Sequence, residues 1–313
     1  MTNAPEHANP PLWTWGVLLS SPLLFSSNLI LGRAAIVEIE PSTLAFLRWF
    51  LAALILSPVV FALPRSKFRE IASLAPLFLL LSFLGMGICG AGVYAALKYT
   101  TATNGTLIYT TSPAMVVLIE ALTGRRRVSL LQIAGIVLAT LGVIVIVTRG
   151  HPATIAALDF SAGDLIFAVC ALSWAIYSVL LRDPRLLAFP PATLFTINAA
   201  FGALVNVPLW LWEGSSHGFL PATSQAWLSV AGIVLIPSIL SFLTYQYCVR
   251  VFGASRAAMS MYLLPPFGVG LAVLFLGERL EPYHLPGMAL ALAGVIIATL
   301  PRKTRPQPAA PTV

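Results

Sequence analysis

The chain has 313 residues, of which 58% are hydrophobic and only 9% charged, and it carries a formal net charge of +7. A chain this short cannot hide so much apolar side chain in a water-soluble core, so a soluble domain is excluded. The positive charge does not point to nucleic acid, because it is concentrated in segments between long apolar blocks.

Those blocks lie, in chain order, at approximately Leu12–Leu31, Ser42–Leu63, Leu74–Leu97, Ala102–Thr123, Leu130–Thr148, Ala162–Leu181, Ala192–Trp212, Gln225–Val249, Ser255–Leu276 and Pro282–Leu300. Each is about the length a helix needs to cross the hydrocarbon layer. The backbone must satisfy its own hydrogen bonds there, so each block is expected to be a helix. The prediction is an all-α membrane protein with ten transmembrane helices. The first block has neither a basic leader nor a small-residue cleavage site, and it reads as a span and not as a signal peptide. The tails, 1–11 and 301–313, are short and rich in Pro and Ala, and are expected to be disordered.

Charge orients the spans. With a cytoplasmic N-terminus, thirteen of the eighteen basic residues fall in inside segments, including Arg65, Lys67, Arg69, Arg125, Arg126 and Arg127. Only Arg33, Lys98, Arg149 and Arg279 fall outside, and Arg48 lies within a span. This bias favours ten spans with both termini in the cytoplasm and a cell (inner) membrane location. Cys89, Cys170 and Cys248 lie within spans and read as small buried hydrophobes, not a disulfide framework.

The chain also repeats itself. Pro113, Arg127, Gly135 and Gly142 recur 152 positions later as Pro265, Arg279, Gly287 and Gly294, and Lys98 recurs as Arg250. Earlier in each half the offset is slightly smaller: Leu31-Gly32-Arg33 aligns with Leu180-Leu181-Arg182, and Pro41-Ser42-Thr43-Leu44 with Pro191-Ala192-Thr193-Leu194. The expected organisation is a five-helix repeat over 12–149, a periplasmic linker over 150–161 and a second five-helix repeat over 162–300. Five spans per half is an odd number, so the second repeat is inverted. That is the architecture of many alternating-access carriers, with a site near the midplane between the halves.

At these residues the sequence resembles the drug/metabolite transporter superfamily, EamA type. Pro41-Ser42-Thr43-Leu44-Ala45-Phe46-Leu47-Arg48-Trp49 looks like the family's second helix. Ala95-Ala96-Leu97-Lys98-Tyr99-Thr100, with Asn104, looks like the turn into its fourth, and Leu172-Ser173-Trp174-Ala175 resembles the start of its second repeat. Phe275-Leu276-Gly277-Glu278-Arg279-Leu280, with Gly287, looks like its ninth-to-tenth connection. The resemblance covers about Trp15 to Leu300. It implies two inverted five-helix repeats, a central cavity, and export or exchange of small metabolites. The chain departs from the pattern at Gly124-Arg125-Arg126-Arg127, where Gly-Glu-Arg-Leu would be usual, and at Phe25-Ser26-Ser27-Asn28, where Trp-Gly-Ser-Asn is common.

Polar and aromatic residues inside spans are the candidate site. Arg48 has two readings: a cavity residue that binds a carboxylate or other anionic group, or a structural clamp bonded to neighbouring carbonyls. Glu120, the one carboxylate within a span, reads either as a proton-coupling group or as an ion-pair partner of the Arg125–Arg127 cluster. Asn28, Tyr94, Tyr109, Trp174, Tyr177, Asn198, Tyr245, Gln246 and Tyr262 are cavity candidates, because aromatics with a polar handle suit an amphipathic solute. Trp13, Trp15, Trp210 and Trp212 read as interfacial belt residues. Pro113 and Pro265, repeat-equivalent and near mid-span, are expected to kink their helices and to shape or gate the cavity. Gly85-Met86-Gly87-Ile88-Cys89-Gly90 matches GxGxxG but lies mid-span, so it reads as helix packing and not as a dinucleotide site.

The four histidines lie in tails or loops, and H-E-x-x-H and Walker A patterns are absent. The expectation is therefore a secondary transporter and not an enzyme, without a cofactor or metal. It is expected to export amino acids or related metabolites; uptake, exchange or a channel-like role are the alternatives. Its expected partners are a small-molecule substrate and the lipid bilayer, without nucleic acid, and it is expected to be a monomer or homodimer. The site should lie between the first four helices of each half, with the fifth and tenth packed peripherally.

Overall fold

The computed structural model describes residues 11–124, 129–151, 161–181, 183–252 and 260–299, and every element among them is helical. The tails, most of the 150–161 linker, Arg125–Arg127, Arg182 and Arg256 lie outside the described residues. So do the side chains of Pro113, Gln246 and Tyr262.

The apolar helices are α1 (Leu12–Ala35), α2 (Pro41–Phe61), α3 (Ala75–Ala96), α4 (Ala102–Leu122), α5 (Leu130–Val147), α6 (Ala162–Leu180), α7 (Pro191–His217), α8 (224–252), α9 (Leu264–Leu276) and α10 (His284–Thr299). Among the described residues, seven helices are long and apolar enough to cross a membrane, and α5, α9 and α10 are shorter apolar helices. Two short helices were not anticipated: Arg65–Ser73, with no buried residue, and Pro184–Leu187. Helix α7 also runs past the expected end at Trp212 to His217. That extension carries Glu213 inside the helix.

Local chemistry starts and stops these helices. Pro41 and Pro191 occupy first-turn positions, where the missing N–H is not needed. Thr101 and Thr223 accept from the N–H groups of Asn104 and Ala226 as N-caps. Ser129 and Gln132 form a reciprocal capping box on α5.

Breaks interrupt several of these helices. Helix α4 is interrupted at Thr110–Thr111, just before Ser112-Pro113, and Met261–Leu263 form a tight 3₁₀ turn leading into Leu264-Pro265 at the start of α9. Phe83–Gly92 of α3 and Val234–Leu240 of α8 are wide π-helical turns. A π turn shifts backbone bonds to i+5 and leaves carbonyls open to other donors. In α3 those carbonyls serve Ser173 Oγ (to Leu84 O, 3.0 Å), Trp49 Nε1 (to Met86 O, 3.2 Å) and Cys170 Sγ (to Ile88 O, 3.3 Å).

The most extensive pairings are α5 with α10 and α2 with α7. The α5–α10 contact is backbone on backbone. A Cβ added at Gly142 would lie 2.5 Å from Ala291 N, and one at Gly294 would collide with the Ala139 backbone. Without a hydrophobic drive between helices in lipid, close approach through small residues holds such a pair. Because α5 and α10 spend most of their contact on each other, they stand apart from the central helices. Leu12, Trp13, Phe61, Leu122, Leu130, Trp212 and Leu274 are among many large apolar side chains left exposed around the bundle. This surface requires a lipid solvent.

Candidate functional site

The centre of the bundle is organised by Arg48. Pro41 starts α2, and Arg48 lies seven positions further on, about 10 Å along the axis. Its guanidinium is buried and donates in four directions. Nη1 bonds Asn28 Oδ1 on α1 at 2.7 Å and Tyr94 OH on α3 at 2.8 Å. Nε bonds Ser238 Oγ at 2.8 Å, and Nη2 approaches the Pro237 carbonyl at 3.4 Å, both on α8. The guanidinium carbon sits 4.3 Å from the Trp49 ring centroid. Tyr94 OH in turn donates to Asn28 Oδ1 at 3.1 Å.

The wide turn in α8 makes this arrangement available. Pro237 has no N–H, and Ser238 Oγ reaches back five residues to Ile233 O at 2.8 Å. The Ser238 oxygen is then oriented to accept from Arg48. Among the described residues, every hydrogen-bond partner of Arg48 is neutral. A buried cation without a carboxylate partner carries a desolvation penalty of several kcal/mol.

Of the candidates read from the sequence, Asn28, Arg48 and Tyr94 meet in this hub. Tyr109, Trp174 and Tyr177 form an aromatic run beside it, with centroid separations of 6.2 Å for Tyr109–Trp174 and 5.0 Å for Trp174–Tyr177. Tyr109 and Trp174 pack against the same apolar cluster as Tyr94. Between α3 and α6, Cys89 Sγ donates to Cys170 O at 3.2 Å and Cys170 Sγ to Ile88 O at 3.3 Å, and both cysteines are free thiols. Asn198 sits apart on α7: its backbone carbonyl accepts from Ser82, and its buried side-chain oxygen has no donor among the described residues. Tyr245 is also apart, edge-on to Phe25 at 6.2 Å. Glu120 is buried in the last turns of α4; the Arg125–Arg127 cluster expected to pair with it lies outside the described residues. Trp210 stacks on Phe46 at 4.1 Å.

A second polar system, not anticipated from the sequence, occupies one end of the bundle. Asp164 is fully buried and accepts from Thr100 Oγ1 at 2.5 Å and from Asn104 Nδ2 at 3.4 Å. His284 Nδ1 accepts from Glu281 N at 3.0 Å, so its Nε2 carries the proton shared with Asn104 Oδ1 at 3.0 Å. Glu278 accepts from Ala102 N at 2.8 Å, Thr103 N at 2.9 Å and Thr103 Oγ1 at 2.6 Å. Glu213 accepts from Ser42 N at 2.8 Å and Thr43 N at 3.3 Å. Lys98 pairs with Glu40 at 2.6 Å, Arg33 donates to Thr100 O, and Thr223 bonds Glu38. The depression above this system has a volume of 1190 Å³, and Arg33, Lys98, Arg149 and Arg279 all line it.

Sequence reasoning missed these groups for two reasons. Asp164, Glu213 and Glu278 sit at helix ends, where a carboxylate usually meets solvent. Ser238 and the Pro237 carbonyl gain their roles only from the wide turn, although a Ser directly after a mid-span Pro was a usable signal.

The fold is that of a multi-pass helical membrane protein with a polar hub among its helices, the class to which solute transporters belong. The sequence profile of the EamA-like transporter family matches residues 12–148 and again residues 161–300, and the chain belongs to that family. An uncharacterized transporter of Archaeoglobus fulgidus is 28% identical over 293 residues, covering 90% of this chain and 96% of its own. A probable amino-acid metabolite efflux pump of Salmonella typhimurium is 24% identical over 287 residues, covering 88% and 91%. A crystal structure of a protein 20% identical superposes with a TM-score of 0.59 over 92% of this chain and 97% of that one, which establishes a shared fold.

Proposed function

We propose that this transporter is a secondary carrier that exports amino acids or related small metabolites by alternating access, with Arg48 as the anchor for the solute carboxylate. The observation that carries the reading is the buried Arg48 guanidinium, whose partners among the described residues, on α1, α3 and α8, are all neutral. A carboxylate arriving there would meet an oriented cation in a low-dielectric site, where charge-assisted bonds are strong. Tyr109, Trp174 and Tyr177 would supply the apolar wall for the rest of the solute. Asn198, Tyr245, Gln246 and Tyr262 are the further cavity candidates, with Pro113 and Pro265 at the helix breaks as gate elements.

The architecture proposed is ten transmembrane helices in two inverted repeats, 12–149 and 162–300, joined by 150–161. Three observations support it: the family profile matches twice, π turns recur in α3 and α8, and the α4 and α9 breaks lie at repeat-equivalent prolines. The charge bias supports an inner-membrane orientation with cytoplasmic termini, which makes the Arg33 end the outer one. The efflux-pump name of the Salmonella typhimurium relative supports export and an amino-acid-like solute.

Counterflow in proteoliposomes tests the proposal. Preloaded unlabelled amino acids should drive saturable uptake of a labelled one. Flux that stays linear with concentration would replace the carrier by a channel.

A further inference from the structure

Several of the polar contacts at the Arg33 end share a feature that the central site does not explain. Those made by Glu213 and Glu278 run between the two matched segments. Glu213 and Glu278 both belong to 161–300, and the first turns they grip, Ser42-Thr43 of α2 and Ala102-Thr103 of α4, both belong to 12–148. Each carboxylate satisfies backbone N–H groups that a helix start leaves orphaned, and each places negative charge at the positive end of a helix dipole. Below the Glu278 contact, α4 and α9 touch closely: a Cβ added at Gly268 would meet Thr106 Cγ2 at 2.5 Å. Opening this end requires those helices to part and both caps to break.

The repeat does not supply the same device at the opposite end. At the offset of 150 that relates Pro191 to Pro41, Glu213 corresponds to Leu63. At the offset of 152 that relates Arg279 to Arg127, Glu278 corresponds to Arg126. Leucine has no acceptor, and arginine has only donors and would repel a helix N-terminus. The inverted conformation therefore cannot be held by the mirror image of these caps. The described ion pairs there join near neighbours, Lys67 to Glu70 and Arg185 to Asp183.

From this asymmetry, and resting on the alternating-access reading, we infer that Glu213 and Glu278 are gate residues: paired carboxylate latches that hold the Arg33 end shut and bias the resting carrier toward opening at the other end. In the proposed orientation that end faces the cytoplasm, where an exporter loads. The 1190 Å³ depression is then a vestibule outside the closed latch, with Glu278 in its wall.

The test needs no solute, so it separates failure of the latch from failure of the transport reading. Thr106→Cys places a near-isosteric thiol one turn inside the Glu278 cap; the three native cysteines are buried. Labelling by a membrane-impermeant methanethiosulfonate, added at the Arg33 face of the full-length protein in proteoliposomes, reports opening of that end. Glu278→Gln and Glu213→Gln each remove the charge and keep the shape. Each should raise the labelling rate about tenfold, the range of one charge-assisted hydrogen bond, and the pair together by more than either alone. Glu278→Asp should fall between wild type and Glu278→Gln. The two caps sit on different helices, so either variant tests the latch if the other does not fold. Unchanged or slower labelling in a variant that elutes as wild type on size exclusion would overturn it.

Discussion

Replacing Arg48 by Met separates a solute anchor from a structural clamp. The separation follows from what the neighbours do once the guanidinium is gone. Tyr94 OH still donates to Asn28 Oδ1, Ser238 Oγ still donates to Ile233 O, and the Pro237 carbonyl still accepts from Ser241 Oγ at 2.7 Å. No charge is orphaned among the described partners, because each of them is neutral. The loss of four hydrogen bonds is offset by removing a desolvated cation, so the change in stability should stay within about 2 kcal/mol. Recognition should suffer far more. One charge-assisted bond to a solute carboxylate is worth about 1.5–3 kcal/mol, which corresponds to about a 10- to 150-fold weaker half-saturation for counterflow. The assay is counterflow of a labelled amino acid in proteoliposomes, with its decarboxylated amine as competitor, beside a thermal melt in detergent. Arg48→Met should melt near wild type and lose the preference for the carboxylate. A variant that melts far lower, or one that keeps wild-type half-saturation, would refute the anchor and leave the clamp.

Ser238→Ala should raise half-saturation with little change in maximal rate, since Ser238 orients the Arg48 Nε and does not itself carry charge; a transport measurement over substrate concentration separates the two. Gly294→Ala should destabilise the α5–α10 pair by about 1–3 kcal/mol through backbone overlap with Ala139, read as a lower detergent melting temperature. Glu120→Gln should leave the pH profile of counterflow unchanged, because the residue lies near the Arg125–Arg127 end of α4, where an ion pair is the simpler role. A flattened profile would instead make Glu120 the coupling group.

Much of this protein follows from its sequence because lipid is a severe solvent. A backbone in hydrocarbon has to be helical, so long apolar runs alone determine that the chain is a multi-pass helical membrane protein. Matched prolines, glycines and charges carry the proposed repeat, and the motif around Pro41–Trp49 carries the family. The presence of Arg48 in a span was equally legible, because a charge at that depth stands out against its surroundings. Its neighbours were only partly so: Asn28 and Tyr94 lie in spans at positions that look like many others.

The tertiary structure decided what sequence distance conceals. Which carbonyl is free depends on where a helix widens, and the turn around Pro237 and Ser238 is a property of packing, not of composition. Glu213 and Glu278 look like solvated helix ends in sequence. They become inter-segment caps only because α7 runs past Trp212 and α9 ends at Gly277, in a left-handed conformation with φ 64°, beside the start of α4. Apolar blocks were enough to establish that this chain crosses a membrane. Charge pairing across the bundle, where a few ångströms separate a cap from a solvated side chain, needed the fold.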